Sequence, residues 1–494
     1  MKGAAAGLGA VALGAQAARA DTPNLVLPSL GFEPKAARTP VKHLVVVMME
    51  NRSVDHYLGW YGKENPDFDG IQDATFPDLR RKGKTVSTES WGVAGRANYH
   101  GRGFEDPDHG WRGGRLERNG GKVDGWLHPV TTNDELTLST YDAADIPLWA
   151  QLTRDWQAYD RWFCSVLGPT QPNRYYLYSG QSAGLKNNVI PPQLASTHPE
   201  WAAGWDWPTV WDLCSNGGVS ASYYFSNLPE TAFWGDRQLH RTHHVSEFYA
   251  ACATGTLPQV SIIDPWFTGP SGIANDDHPH ADIRLGQAFL SDITEAFTTS
   301  PQYRDSALVI TYDEWGGFWD HVDPPRVPDE LGTDRDPGGE DDFSQLGFRI
   351  PSTIISPWTR STDRVDHTVY NHASILRFVS ENWGMPYLTK RVRSSNSIET
   401  AFDGFKRFDP HAELAHFDLS LPMALELILQ PNLEELEHGK LPKITPLGVS
   451  SDVQSDMHRL ADTGWFDKLP INIDHKFEDG FLRPSDILKV LAAK

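Results

Sequence analysis

The sequence predicts an α/β fold in which a mainly parallel central sheet carries helices on both faces. Short runs rich in Val, Ile, Tyr and Thr alternate along the chain with segments of helical periodicity, which is the pattern of successive βα units. Residues 44–49 form an unbroken apolar run, as expected for a strand buried on both faces of such a sheet. We expect this strand to organise the rest of the chain.

The remaining predicted elements follow in chain order. Strands are predicted over residues 219–226, 259–264, 307–313 and 350–356. Helices are predicted over residues 146–158, 281–298 and 371–383. Two other regions lack this periodicity. The Gly-, Asp- and Trp-rich residues 67–138 are expected to be functional or disordered, and the acidic residues 328–342 are expected to form a solvated loop.

The chain divides into three predicted regions: an export signal over residues 1–20, a catalytic domain over residues 21–395, and a C-terminal extension over residues 396–494 packed on that domain. The first region has Lys2, a short Ala/Gly/Leu-rich core and a small-x-small pattern before residue 21. The alternative is a disordered Ala/Gly tail. We favour export to the periplasm or the exterior, without twin arginines unless the true start lies upstream.

Composition restricts the partners. The net charge of -21 argues against nucleic acid, because such binding depends on Lys and Arg neutralising phosphates. An acidic surface also repels anionic membranes, so at most a peripheral membrane contact is expected. Three cysteines, Cys164, Cys214 and Cys252, are too few for a disulfide scaffold, although one pair can close in an exported protein. Neither the pairing nor the oligomeric state follows from the sequence.

Oxygen-bearing side chains follow two of the predicted strands. Glu50 and Asn51 follow the strand predicted over residues 44–49. Asp313 and Glu314 lie at the end of the strand predicted over residues 307–313. Ligands of open α/β sheets bind outside the carboxyl ends of the strands, so these four side chains can converge there on one divalent metal ion. Oxygen ligands favour Mg, Ca or Mn, and imidazoles nearby would also admit Zn. Taken alone, either stretch fits a polar turn better than a metal site, because loops are polar by default.

Thr170 lies at the predicted start of a helix, with Pro172 in the first turn. Helix N-termini favour phosphate, and a hydroxyl beside a divalent cation loses its proton more readily, so Thr170 is a candidate nucleophile. A plain N-cap threonine is the alternative. His109, His278 and His321 lie in loops that can fold beside these residues, where imidazoles would contact phosphate or move protons.

Four motifs together resemble those of the bacterial phosphoesterase family of phospholipases C and exported acid phosphatases, in the alkaline-phosphatase-like superfamily. They are MMENRSVDHY (48–57), PTQPNR (169–174), DDHP (276–279) and YDEWGGFWDHV (312–322). The resemblance implies that Glu50, Asn51, Asp313 and Glu314 bind a metal and that Thr170 takes the phosphoryl group covalently. It also implies phosphate or proton contacts for the set His109, His278 and His321.

The chain departs from the family pattern at Trp315, where many members have a histidine. Members acting on phosphocholine lipids can also have a longer C-terminal portion. Ser165 and Val166 after Cys164 lack the proline and arginine that mark the modified cysteine of sulfatases, which counts against sulfate-ester hydrolysis.

The sequence therefore predicts a secreted, metal-assisted phosphoester hydrolase acting on a phospholipid or a small phosphoester. Phospholipase C, cleaving the glycerol-side phosphodiester through a phosphothreonine intermediate, is the leading hypothesis. The eighteen Trp and fifteen Tyr residues of the chain would allow a cation-π pocket for choline. The alternatives are a broad-specificity acid phosphatase and a non-catalytic exported protein that binds a phosphorylated ligand.

Overall fold

The structure, a computed structural model, describes residues 39–267, 274–334, 336–359 and 364–402. The predicted export signal and nearly all of the predicted C-terminal extension, including a short helix expected at residues 423–429, lie outside the described residues.

The strands of the described chain form one large sheet and two small ribbons. In chain order they are β1 (His43–Met49), β2 (Thr75–Pro77), β3 (Thr85–Ser87), β4 (Glu89–Ser90), β5 (Ser139–Thr140), β6 (Ala158–Tyr159), β7 (Ala221–Phe225), β8 (Thr242–His244), β9 (Val260–Ile263), β10 (Ser306–Tyr312), β11 (Thr353–Ile355) and β12 (Val365–Asp366). The large sheet has eight strands in the order β12-β6-β11-β10-β1-β9-β7-β8, and β2-β3 and β4-β5 form the ribbons.

β1 lies at the centre of the large sheet, parallel to β10 on one side and β9 on the other. β11 runs antiparallel to its two neighbours, and the other pairings in this sheet are parallel. The register of β1 and β10 pairs Met49 with Tyr312, so both strands end at the same level. Their next residues, Glu50 and Asp313, therefore leave the sheet side by side at its carboxyl edge.

The helices pack around this sheet. They are α1 (Val54–Leu58), α2 (Tyr61–Glu64), α3 (Trp111–Arg118), α4 (Pro147–Asp155), α5 (Thr170–Ser179), α6 (Pro191–Leu194), α7 (Val210–Gly217), α8 (Val245–Thr254), α9 (Ile283–Thr299), α10 (His372–Asn382) and α11 (Lys390–Ser394). Every residue of α5 is buried, since α10 and α7 pack against it. A helix buried on all sides has a fixed position, which matters for the site at its first residue.

The predicted α/β class with a mainly parallel sheet is confirmed, and each predicted strand and helix in the described chain is present with ends shifted by a few residues. Residues 67–138 are ordered rather than disordered, because Trp91 and Trp126 anchor them in the core at 0% exposure. The acidic residues 328–342 are not a wholly solvated loop: Asp342 is buried and accepts a hydrogen bond from Arg326. The three cysteines are buried free thiols, so none of them pairs.

Candidate active site

The ends of β1 and β10 are tied together by backbone geometry. Asn51 has φ +60°, a left-handed conformation that asparagine tolerates better than most residues. This turn lets the Asn51 N–H donate to Asp313 Oδ1 at 3.0 Å, and the Glu314 N–H donates to the same oxygen at 2.7 Å. Gly316 is required beside this turn, since a Cβ there would lie 2.4 Å from the Asn51 carbonyl oxygen. The residues after the two strands, Glu50 and Asn51 after β1 and Asp313 and Glu314 after β10, are thus held together, and we call this group the platform.

Four oxygen atoms of this platform have no hydrogen-bond partner although their side chains are fully buried. They are Oε2 of Glu50, Oδ1 of Asn51, Oδ2 of Asp313 and Oε1 of Glu314. Buried polar atoms in native proteins are nearly always satisfied, so each such atom needs an explanation. Three carboxylate oxygens and one amide oxygen are the donor set of a hard divalent cation, and the residues present fit such an ion.

Burial and crowding make these carboxylates costly to ionise. Burial, followed by repulsion from Asp313, raises the pKa of Glu50 well above its usual value. The pKa of Glu314 is raised by the same two causes in the same order, and burial raises that of Asp313. A divalent cation among them would remove the repulsion and keep all three groups charged.

Thr170 is the first residue of α5 and not its N-cap, which corrects the sequence-based interpretation. Pro169 occupies the N-cap position and makes no side-chain cap. The side chain of Asn173, one turn along the helix, instead holds the preceding loop by donating to the carbonyl oxygens of Gly168 at 2.7 Å and Pro169 at 3.2 Å. The Thr170 hydroxyl is fully buried and has no hydrogen-bond partner. It is therefore not engaged in holding the helix end.

Arg174 connects this helix to the carboxylates, a link that sequence reasoning missed. Its side chain is fully buried, and Nε donates to Glu50 Oε1 at 2.9 Å. The same nitrogen lies 3.7 Å from Asp313 Oδ2. Residues four apart lie on the same face of a helix, so the contacts of Arg174 bring Thr170 to the platform. That i,i+4 spacing was the one signal in the sequence that pointed to Arg174.

His109 and His278 lie together at the platform. Their ring centroids are 5.9 Å apart, and with Asp106 they offer ligand atoms that all lie within 4.8 Å of one another. His109 Nε2 is 3.5 Å from Asn51 Nδ2. In both rings Nδ1 faces a backbone carbonyl oxygen, that of Pro107 for His109 and that of Pro279 for His278. Donation from Nδ1 makes Nε2 the proton-accepting nitrogen of each neutral ring.

His321 occupies a different cluster. Its Nδ1 contacts Asp55 Oδ2 at 2.6 Å and its Nε2 contacts Asp69 Oδ1 at 2.9 Å, so carboxylates engage both ring nitrogens. The group Asp55, Asp320 and His321 has the spacing of a metal site. The Arg349 guanidinium already supplies the positive charge there, at 2.9 Å from Asp320 and 3.2 Å from Asp55. The described contacts do not join His321 to Thr170 or to the platform.

Trp315, the departure from the family pattern, is fully buried. Its indole N–H donates to Glu117 Oε2 at 2.9 Å, and Glu117 in turn accepts from Asn133 at 2.7 Å. The indole N–H is therefore engaged inside the core. A histidine at this position would also have offered a second ring nitrogen able to accept or donate a proton.

Comparison with known proteins identifies the family of the chain. The model of the Phosphoesterase family matches residues 41–386. Non-specific phospholipase C6 of Arabidopsis thaliana is 31% identical over 374 residues, covering 72% of this chain and 70% of that protein. Phospholipase C B of Mycobacterium tuberculosis is 29% identical over 403 residues, covering 70% and 74%.

Solved structures resemble the chain more distantly. A protein in the alkaline phosphatase superfamily from Vibrio parahaemolyticus matches with a TM-score of 0.34 and 12% identity, covering 74% of this chain and 72% of that one. The family assignment rests on the sequence matches. The chain belongs to the phosphoesterase family and is a phosphoric ester hydrolase.

Proposed function

We propose that this protein is a phospholipase C that hydrolyses the glycerol-side phosphodiester of phospholipids through a covalent intermediate on Thr170. The observation that carries the proposal is the set of five buried side-chain oxygens without hydrogen-bond partners, four on the platform and the fifth on Thr170. Arg174 joins the two groups by its bond to Glu50. The names of the relatives in plants and bacteria favour phospholipids over other phosphoesters.

The metal site in this proposal consists of Glu50, Asn51, Asp313 and Glu314. A divalent cation bound there would lower the pKa of the Thr170 hydroxyl and neutralise charge on the phosphoryl oxygens. Oxygen ligands favour Mg, Ca or Mn, and the nearby imidazoles also admit Zn.

The proposed reaction has two steps. The Thr170 oxygen attacks phosphorus, the phosphorus–oxygen bond to diacylglycerol breaks, and the headgroup phosphate becomes an ester of Thr170. Water then attacks the same phosphorus, which releases the phosphorylated headgroup and restores the hydroxyl. α5 is ten residues long, and the backbone N–H groups of its first turn favour the anionic group at Thr170.

His109 and His278 are the proton-transfer groups of this proposal. Burial, followed by the charge of His109, lowers the pKa of His278 well below its usual value. Because its Nδ1 faces the Pro279 carbonyl oxygen, Nε2 is the nitrogen that exchanges a proton in this proposal. In the first step the Thr170 hydroxyl gives up a proton and the leaving diacylglycerol oxygen takes one up. In the second step the attacking water gives up a proton and the Thr170 oxygen takes one up, and these two rings carry the exchanges. His321, with both nitrogens held by carboxylates, has no part in these steps.

The protein is also proposed to be exported and to meet lipid only peripherally. The export pattern of residues 1–20 supports the first point. Among the described residues no helix has the length and hydropathy to cross a bilayer.

Product analysis tests the proposal. With phosphatidylcholine in mixed micelles we expect diacylglycerol and phosphocholine, at a specificity constant well above that for phosphate release from an aryl phosphate. The Thr170→Val variant should lose this activity, whereas Thr153→Val, at a buried threonine whose hydroxyl only bonds the Trp149 carbonyl, should keep it. Preference for the monoester would make the protein an acid phosphatase. Turnover of neither substrate would leave a binding protein.

A further inference from the structure

Arg174 lies one helical turn after Thr170, inside a helix that is buried on every side. Burying a guanidinium is costly unless charged partners surround it. The proposed reaction so far gives this residue no role, although its side chain is fully buried and points at the metal ligands.

The guanidinium reaches two strand ends at once. Nε donates to Glu50 Oε1 at 2.9 Å after β1, and Nη1 donates to Asp264 Oδ1 at 2.9 Å after β9. Nη2 donates to the Met48 carbonyl oxygen at 3.2 Å, within β1 itself. A planar group with several donors in fixed directions holds such an arrangement, which a lysine ammonium does not reproduce. Arg174 therefore fixes α5 against β1 and β9.

The bond to Glu50 also decides how that carboxylate is used. Oε1 is taken by Arg174, while Oε2 remains without a hydrogen-bond partner beside Asn51 and Asp313. Arg174 thus orients Glu50, whose Oε2 is a proposed metal ligand, and also holds the helix that carries the Thr170 hydroxyl.

Two further acids, Asp264 and Glu230, lie near the guanidinium. Asp264 accepts from the Tyr178 hydroxyl at 3.0 Å, and the same hydroxyl bonds Glu230 at 2.7 Å. Glu230 Oε1 lies 3.9 Å from Arg174 Nε. Arg174 is therefore bonded to Glu50 and Asp264, with Glu230 adding a third negative group nearby.

We infer that Arg174 is a positioning residue for the attack of Thr170: it sets the distance between the Thr170 hydroxyl and the platform by bonding Glu50 and Asp264 from one turn along the same helix. The inference rests on the proposed function, since it needs Thr170 to be the attacking group.

Arg174→Lys tests this role. The variant keeps the charge and loses the planar fork, so we expect it to fold, to retain its metal by elemental analysis, and to lose about 100-fold in kcat, the cost of a misplacement of about 1 Å. KM should change little, because ground-state binding does not depend on the Thr170 hydroxyl.

Inhibition separates positioning from partial unfolding. The vanadium atom of orthovanadate forms a bond with the oxygen of the attacking group and so resembles the transition state. Inorganic phosphate binds as a ground-state anion. We expect the inhibition constant for orthovanadate to rise by about the same factor by which kcat falls, and that for phosphate to stay at the parent value. Loss of folded protein would lower the amount of active enzyme and leave both constants unchanged.

Arg349→Lys is the matched control, because Arg349 is equally buried and also paired with two carboxylates, in a cluster that the described contacts do not join to Thr170. It should keep the parent constants for both anions. Parent kcat and parent vanadate inhibition in Arg174→Lys would overturn the inference. If Thr170→Val is fully active, the proposed function fails instead; if Thr170→Val is inactive and Arg174→Lys is normal, only the positioning role fails.

Discussion

Asp313→Asn is the substitution whose consequence follows most directly from the geometry. Oδ1 of Asp313 accepts two backbone hydrogen bonds, from Asn51 at 3.0 Å and from Glu314 at 2.7 Å. An asparagine must place its amide oxygen there to keep both. Its NH₂ group then replaces Oδ2, the atom proposed to bind the cation, so the variant should retain the platform and lose one anionic ligand.

The substitution should weaken metal binding by a large factor. Removing a group that only supports a metal ligand costs 10–100-fold in affinity, so losing the ligand itself should cost at least about 100-fold. At a metal concentration 100 times the parent Kd, the ion stabilises the parent by about 2.7 kcal/mol and the variant by about 0.4 kcal/mol. For a domain of this size the difference of about 2.3 kcal/mol corresponds to a metal-induced rise in Tm that is smaller by roughly 3 °C.

Thermal unfolding with and without metal measures this difference, and titration against a competing chelator gives the two Kd values. Asp160→Asn is the control, since Asp160 is also fully buried and follows β6, a strand of the same sheet. Its carboxylate contacts the backbone N–H of Asp69 and the ring of His367. Its metal-induced rise should equal that of the parent. An equal rise in Asp313→Asn would refute the assignment of Asp313 as a ligand.

Three further outcomes are expected. His109→Gln should lower kcat by about 100-fold or more while the metal content stays at the parent level; parent-like turnover would remove His109 from proton transfer. Dialysis against a chelator should abolish hydrolysis of phosphatidylcholine, and one of Mg, Ca, Mn or Zn should restore it; activity that survives complete removal of metal would contradict the proposed centre. Burial disfavours the charged form of His321, but the hydrogen bond and charge of Asp55 outweigh it and raise the pKa of His321 to about 9, so the stability it contributes is complete below its unfolded pKa of about 6.5 and is lost as pH rises through 9. Denaturant titrations of the parent should show this decline, and His321→Gln should not.

The platform could be predicted from the sequence because each of its two strand ends can be recognised from the residues of that strand alone. An apolar run that ends in a carboxylate marks a strand exit, and parallel neighbours place their exits at one edge, so the residue pattern alone was enough to pair Glu50 with Asp313. Thr170 was misplaced as an N-cap, because the contacts of Asn173 with the preceding loop depend on how that loop folds.

Other parts of the site depend on contacts between distant segments. Arg174 meets Glu50 and Asp264, which are 124 and 90 residues away in the chain. Its i,i+4 spacing from Thr170 indicates a shared helix face but does not indicate these two partners. His321 was expected beside the other site residues because its loop could fold there and because the family resemblance implies a phosphate or proton contact. Gly316 and Gly317, at φ +66° and +68°, turn the chain away, and His321 joins the Asp55 cluster instead.

The central claim is that the Thr170 oxygen attacks phosphorus. The most direct measurement is rapid acid quenching of the enzyme during turnover of phosphatidylcholine, followed by mass mapping of its peptides. We predict a phosphocholine ester on Thr170 that forms within the first turnover and disappears when substrate is exhausted. An ester on another residue, or none while product forms at the full rate, would contradict this account.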